Sequence, residues 1–147
     1  MPGSRYTYPF YAQPGRPSQP QLRIRFTNPD SKQSFTWDCL IDTGADSCLL
    51  PKSIVNLTGH ELKASDVQKV VTMGVEGTGQ IIYRHTFVME LLHPSQSKAV
   101  WKSPVMLVDC ADHDSFPPLL GQSNFLSHFK ITIDYQAELT TVEWRSA

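Results

Sequence analysis

The sequence is short of charge and of cysteine, and it has no long apolar run. Lys, Arg, Asp and Glu together make up 18% of its 147 residues, with a net charge of −1 when histidine is neutral. Neither sign accumulates, so a nucleic-acid partner, which needs a basic face, is not expected. No stretch approaches the roughly 20 apolar residues that cross a bilayer, so no membrane partner is expected either. The N-terminus carries Pro, Tyr and Arg where a secretory leader has an apolar core, and the expected location is cytoplasmic. Cys39, Cys48 and Cys110 are an odd set of three without metal-ligand spacing. They read as small buried hydrophobes in a reducing compartment. No metal or other cofactor is expected. Hydrophobic residues reach 40%, enough for one domain with a modest core.

What is present reads as β structure. Residues 1–20 form a Pro- and aromatic-rich arm, with Pro2, Pro9, Pro14, Pro17 and Pro20 among Tyr6, Tyr8, Phe10 and Tyr11. Extended or polyproline-like backbone suits it, and its aromatics pack either on the domain or on a partner chain. Residues 21–147 form the domain proper. Leu22, Ile24 and Phe26 alternate with Arg23, Arg25 and Thr27, which predicts a half-buried strand. Asn28-Pro29-Asp30-Ser31 is a turn by composition. Phe35, Trp37, Cys39 and Ile41 alternate into a second strand that ends at Asp42. After Pro51 the residues are compatible with a helical turn at Ile54 and Val55, broken at Gly59. Residues 67–73 and 80–92 are strand-like runs joined by Gly74-Val75-Glu76-Gly77-Thr78-Gly79, the composition of a hairpin tip. Residues 100–108 read as one strand, with Pro104 marking an edge or bulge. A polar loop ends in Pro117-Pro118, and Leu119-Leu120-Gly121 reads as a short buried strand. Ser123 is placed to cap a helix bearing Phe125, Leu126 and Phe129. Ile131 to Tyr135 and Thr140 to Trp144 complete a last hairpin.

The chain is organised around Cys39-Leu40-Ile41-Asp42-Thr43-Gly44-Ala45-Asp46-Ser47-Cys48-Leu49-Leu50-Pro51. An apolar strand delivers a carboxylate, followed by a hydroxyl and a glycine that lets the backbone pass close by. Alone, Asp-Thr-Gly is also what an acid ending a strand before a turn looks like. Its flanks, together with the Leu119-Leu120-Gly121 element and the pattern after it, resemble the retropepsins, a family of single-domain aspartic proteases. The resemblance runs from about Gln21 to Trp144. It implies an all-β, closed barrel or sandwich with a glycine-rich flap hairpin and one short C-terminal helix.

The same resemblance implies a role for each matching residue. Asp42, Thr43 and Gly44 are the catalytic loop, Thr43 bonding across a dimer. Ala45 and Asp46 line the cleft floor, and Met73, Gly74, Val75, Glu76 and Gly77 belong to the flap over an extended peptide or protein substrate. Gly121 packs against the catalytic loop. Retroviral members usually carry Arg after that glycine; here it is Gln122, whose uncharged amide cannot form a bidentate ion pair with Asp46. Carboxylate-assisted peptide hydrolysis uses two carboxyls sharing one proton. The chain has a single Asp-Thr-Gly, so a homodimer with one Asp42 from each copy is implied. The expected activity is aspartic endopeptidase, the alternative being a non-catalytic peptide-binding or dimerisation domain of the same fold. Asp109-Cys110-Ala111-Asp112-His113-Asp114 has ligand-type residues without a metal spacing and reads as a solvated loop. Cys48 with a distant His reads as a structural thiol rather than a nucleophile. Tyr8–Pro9, an aromatic–Pro junction, is a candidate self-processing site if the arm is accessible.

Overall fold

A computed structural model describes residues 3–73 and 79–145. Short strands follow one another along the chain: β1 (Gly3–Pro9), β2 (Tyr11–Gln13), β3 (Arg16–Gln19), β4 (Gln21–Thr27), β5 (Ser34–Ile41) and β6 (Leu49–Leu50). A helix, α1 (Lys52–Leu57), comes next. It is followed by β7 (Gln68–Met73), β8 (Gly79–Leu92), β9 (Ala99–Lys102), β10 (Met106–Cys110), β11 (Leu119–Leu120), β12 (Lys130–Asp134) and β13 (Leu139–Arg145).

The alternation in the sequence places the core. On β4, Leu22, Ile24 and Phe26 are fully buried, and Arg23 between them is exposed. Facing strands supply Cys39 and Ile41 from β5 and Phe87, Met89 and Leu91 from β8. Pairing runs from β5 to β4, β8, β10, β6 and β11, and β11 returns to β5, so the sheet closes into a barrel. The hairpin β7–β8 extends from this barrel, in register from Gln68↔Arg84 to Met73↔Gly79.

The first residues are part of the fold. β1 pairs antiparallel with β13 from Gly3↔Arg145 to Pro9↔Leu139, giving a terminal sheet in the order β1–β13–β12. Tyr6 stacks on Trp144 with ring centroids 5.7 Å apart. Tyr8 is fully buried, and its hydroxyl donates to Leu92 O at 2.8 Å, tying the terminal sheet to the barrel. Two of the arm's aromatics thus pack on the chain's own core. The Tyr8–Pro9 junction lies inside a paired strand, so the accessible cleavage site expected there is not present in this fold.

Two further expectations are corrected. Residues 100–108 form two strands, not one, because Pro104 has no N–H and the chain turns at buried Ser103. That serine's Oγ accepts from Met89 N and donates to Pro104 O. The helix expected after Ser123 is a single 3-10 turn, Leu126–His128, without a side-chain cap. The chain is extended again at Phe129 and enters β12 at Lys130, which leaves room for one turn only. Phe125 and Phe129 still face inward, both edge-on to Trp101. The α-helix is instead α1, which stops where Gly59 adopts φ +82° and Thr58 Oγ1 donates to Ile54 O.

The Tyr8 hydroxyl is buried and donates to one carbonyl, so removing it costs a net hydrogen bond and leaves Leu92 O poorer by one donor. Tyr8→Phe is expected to lower stability by about 1–2 kcal/mol, read as a lower urea midpoint at unchanged slope. Tyr8→Ala, which also empties the core, is expected to cost about 3–5 kcal/mol.

Candidate active site

Asp42 stands one residue beyond the end of β5, half-buried, with its N–H donating to Leu120 O at 3.1 Å. The chain then turns on itself: Ala45 N donates to Asp42 O at 3.2 Å, and Gly44 N donates to the carboxylate Oδ1 at 3.1 Å. Thr43, Gly44 and Asp46 are exposed and Ala45 is half-buried. The carboxylate therefore sits at the mouth of a tight turn with one oxygen oriented by a backbone donor.

The turn is clamped by the segment after β11. Gln122 N donates to Ala45 O at 3.0 Å and Ser123 N to Asp46 O at 2.8 Å. Asn124 Oδ1 accepts from Cys48 N at 2.8 Å, and Gly121 N donates to Cys48 Sγ at 3.3 Å. The Gln122 side-chain amide donates to Thr43 O. Gln122 therefore braces the loop through a main-chain carbonyl and does not reach for the Asp46 carboxylate. Gly121 has no room for a side chain: a Cβ there would overlap the Ser47 carbonyl and lie 2.7 Å from Ser47 Cα. This is the close packing against the Asp42 loop that the sequence implied for Gly121.

Other contacts have no signal in the sequence. Ser47 Oγ donates to Asp109 Oδ2 at 2.9 Å, and Arg84 Nε donates to the other oxygen at 3.0 Å. Asp109 thus joins the loop to β10 and β8, because the register puts it opposite both Leu49 and Arg84. Its neighbours in sequence are spent on ion pairs and a cap: Asp112 binds Lys52 and Lys63, and Asp114 Oδ1 accepts from Ser53 N. Side-chain alternation hints at which face Asp109 occupies, but only register reveals its partners.

The Cys48 thiol is fully buried, and burial pushes it up to about 12, against a small opposing pull from the Gly121 N–H. It stays protonated and takes no nucleophile's role. Cys39 and Cys110 are likewise free and buried, and desolvation raises both.

Of the expected flap residues, Met73 ends β7 opposite Gly79; Gly74, Val75, Glu76 and Gly77 lie outside the described residues. Where the hairpin's second strand leaves the tip, Gln80 Nε2 is 2.7 Å from His113 Nε2, on the loop that leads to β11. His113 is itself held 2.6 Å from Ser115 Oγ. The hairpin's second strand is thereby joined to the loop between β10 and β11.

No protein-family model and no curated protein matches the chain. Among solved structures it is similar to a retropepsin-like aspartic protease from Rickettsia conorii, with a TM-score of 0.60 and 16% identity over 99% of this chain and 95% of that one. At that identity the likeness establishes the fold. The chain is an almost all-β molecule with a retropepsin-like architecture.

The contrast between two glycines gives a test of the clamp. Gly121→Ala forces Cβ into the Ser47 backbone, and a cost of about 3 kcal/mol or more is expected. Gly44→Ala meets only Asp42 Oδ1, at an ordinary 3.4 Å, and is expected to cost less than about 1 kcal/mol. Thermal unfolding of the two variants reads the difference; equal stability would mean that the close approach does not hold.

Proposed function

We propose that this protein is an aspartic endopeptidase of the retropepsin type, active as a homodimer with one Asp42 from each copy. The observation that carries the proposal is the Asp42 turn itself. It is a carboxylate at the end of a barrel strand, oriented by Gly44 N–H and clamped by residues 121–124, in a retropepsin-like fold.

One chain supplies one such carboxylate, and the hydrogen bonds of the described residues bring no second acid to it. Across a two-fold axis the two Asp42 carboxyls would share one proton, since both cannot ionise side by side. The ionised member takes a proton from water, and the protonated member gives one to the scissile carbonyl oxygen. The resulting tetrahedral intermediate then collapses, with the leaving amine protonated by the dyad. Thr43 would bond to the partner's loop. Ala45 and Asp46 would bind the substrate main chain, and residues 73–77 would cover an extended peptide by strand addition. Three buried free thiols suit a reducing compartment, and on that ground we place the enzyme in the cytoplasm.

Incubation with an unfolded protein at acid pH is expected to give cleavage that a statine-type inhibitor blocks. The rate should be bell-shaped in pH with its maximum on the acid side of neutral. Asp42→Asn should keep the unfolding midpoint within about 1 kcal/mol of the parent and abolish cleavage. A folded Asp42→Asn protein that cuts at the parent rate would exclude the mechanism. A folded parent that binds peptides without cutting would instead mark a non-catalytic domain of this fold.

Dilution tests the dimer separately. Specific activity should fall in step with the dimer fraction seen by sedimentation, as mass action requires, and saturating inhibitor should restore the dimer. Full activity from monomer would rule out the shared pair.

A further inference from the structure

His60 and His85 lie away from the Asp42 turn and take no part in its bonding. His60 follows α1 with its N–H on Val55 O at 3.0 Å. His85 sits within β8 and is only 5% exposed. Their ring centroids are 4.7 Å apart, with the planes tilted by 47°, and Phe87 closes on His60 edge-on at 5.0 Å. The two imidazoles are cross-tied: His60 Nε2 meets Thr86 O at 2.7 Å, and His85 Nε2 meets Leu62 O at 2.9 Å. A carbonyl oxygen only accepts, so each Nε2 carries the hydrogen and each Nδ1 is the place for a further proton.

These reciprocal bonds hold the segment from Gly59 to Val67 on β8, and that segment runs directly into β7, the first strand of the hairpin. The groove beside the pair, of about 440 Å³, is lined by Asp30, Glu61, Asp66 and Arg84 among others. From β10, Asp109 is committed to Arg84, and the Cys110 thiol lies against the His85 main chain. Lys63, on the same segment, is taken by Asp112. Burial holds His85 below the ordinary histidine range; the Leu62 carbonyl opposes this, His60 adds to it, and Asp66 also opposes it.

We propose that the His60–His85 pair is an acid-sensitive clasp that fastens residues 59–67, the segment leading into β7, to β8. With no proton or one proton added, both Nε2–H bonds persist. A second proton places two positive rings 4.7 Å apart, with Phe87 against one of them, and the segment leaves β8. The sign is that of a histidine favoured in its neutral form: the stabilisation is complete above the ordinary histidine range and is lost as pH falls below it. This device goes beyond the proposed peptidase activity and holds or fails independently of it.

The test uses the whole chain. Exchange of backbone amides, corrected for the intrinsic pH dependence, is followed from about pH 7 to about pH 5. Ala64 N and Val67 N, bonded to Glu61 O and Ala64 O, are expected to lose protection about tenfold, while the amides of β4 and β13 keep theirs. In His60→Gln, whose amide can still donate to Thr86 O, the loss should vanish, and the His85 NMR titration midpoint should rise by about half a pH unit or more. Uniform loss across all strands would mean global acid unfolding and would overturn the proposal. An unchanged His85 midpoint in His60→Gln, or unchanged protection in the parent chain, would also overturn it. His60 is the half-exposed member of the pair, so the test does not depend on a variant at buried His85 folding.

Discussion

The close approach of Gly121 to Ser47 is the constraint on which the site depends, and the topology dictates it. β11 lies between β5 and β6, with Leu120 opposite Ile41 on one side and Leu119 opposite Leu49 on the other. The loop from residue 42 to residue 48 joins those two outer neighbours, so it must cross the end of β11. The residue it crosses is the one after Leu120. A side chain there would lift the loop off the barrel, and the backbone bonds from residues 121–123 to residues 45, 46 and 48 would lengthen together. Glycine is required here for space and not for an unusual φ.

Closure of the barrel fixes the other side of the same loop. β10 pairs with both β6 and β8, which brings Asp109 between Arg84 and Ser47. The Arg84 and Asp109 side chains are 34% and 18% exposed, so their ion pair adds little to global stability after solvent screening. Its value is directional. The carboxylate has two oxygens with one donor on each, and those donors come from the wall and from the loop. The loop bearing Asp42 is thus held by main-chain bonds from one side and by a charged group from the other.

Much of this is legible in the sequence because its signals are local. The period-two pattern of Leu22 to Phe26 gives a strand with the right face buried, that of Phe35 to Ile41 gives one buried at Cys39 and Ile41 but open at Trp37, and the motif places Asp42 at a strand end. The Gly121 packing also follows from the motif. What stays hidden depends on partners distant in sequence. Residues 1–20 look like an arm because prolines recur among their aromatics and glycines. Tyr8 is seen to be core only once β1 is laid against β13, more than a hundred residues away. The Ser123 helix cap fails for the same kind of reason. The chain is extended again at Phe129 and paired with β13 from Lys130, and a local pattern cannot register that demand. Pro104 is legible as a breaker, but the size of its effect depends on Ser103 being a buried turn residue, which no local pattern announces.

The bonding of the loop also bears on how two half-sites would meet in the proposed enzyme. Within one chain, the Asp42 turn already has bonds from Gly44, Ala45 and residues 120–123, so in the proposed enzyme a folded monomer would bring a turn that is already shaped. Association of two such copies would then join preshaped turns, with little ordering entropy charged against the dimer. What the monomer leaves unused fits that view. Thr43 is exposed, and among the described residues its hydroxyl makes no hydrogen bond, although its carbonyl is held by Gln122. A fixed main chain presenting a free hydroxyl beside the carboxylate is an arrangement that a second copy could complete with little rearrangement. The Gln122 amide, donating to the Thr43 carbonyl, fixes the main chain that carries this hydroxyl without calling on the Asp46 carboxylate.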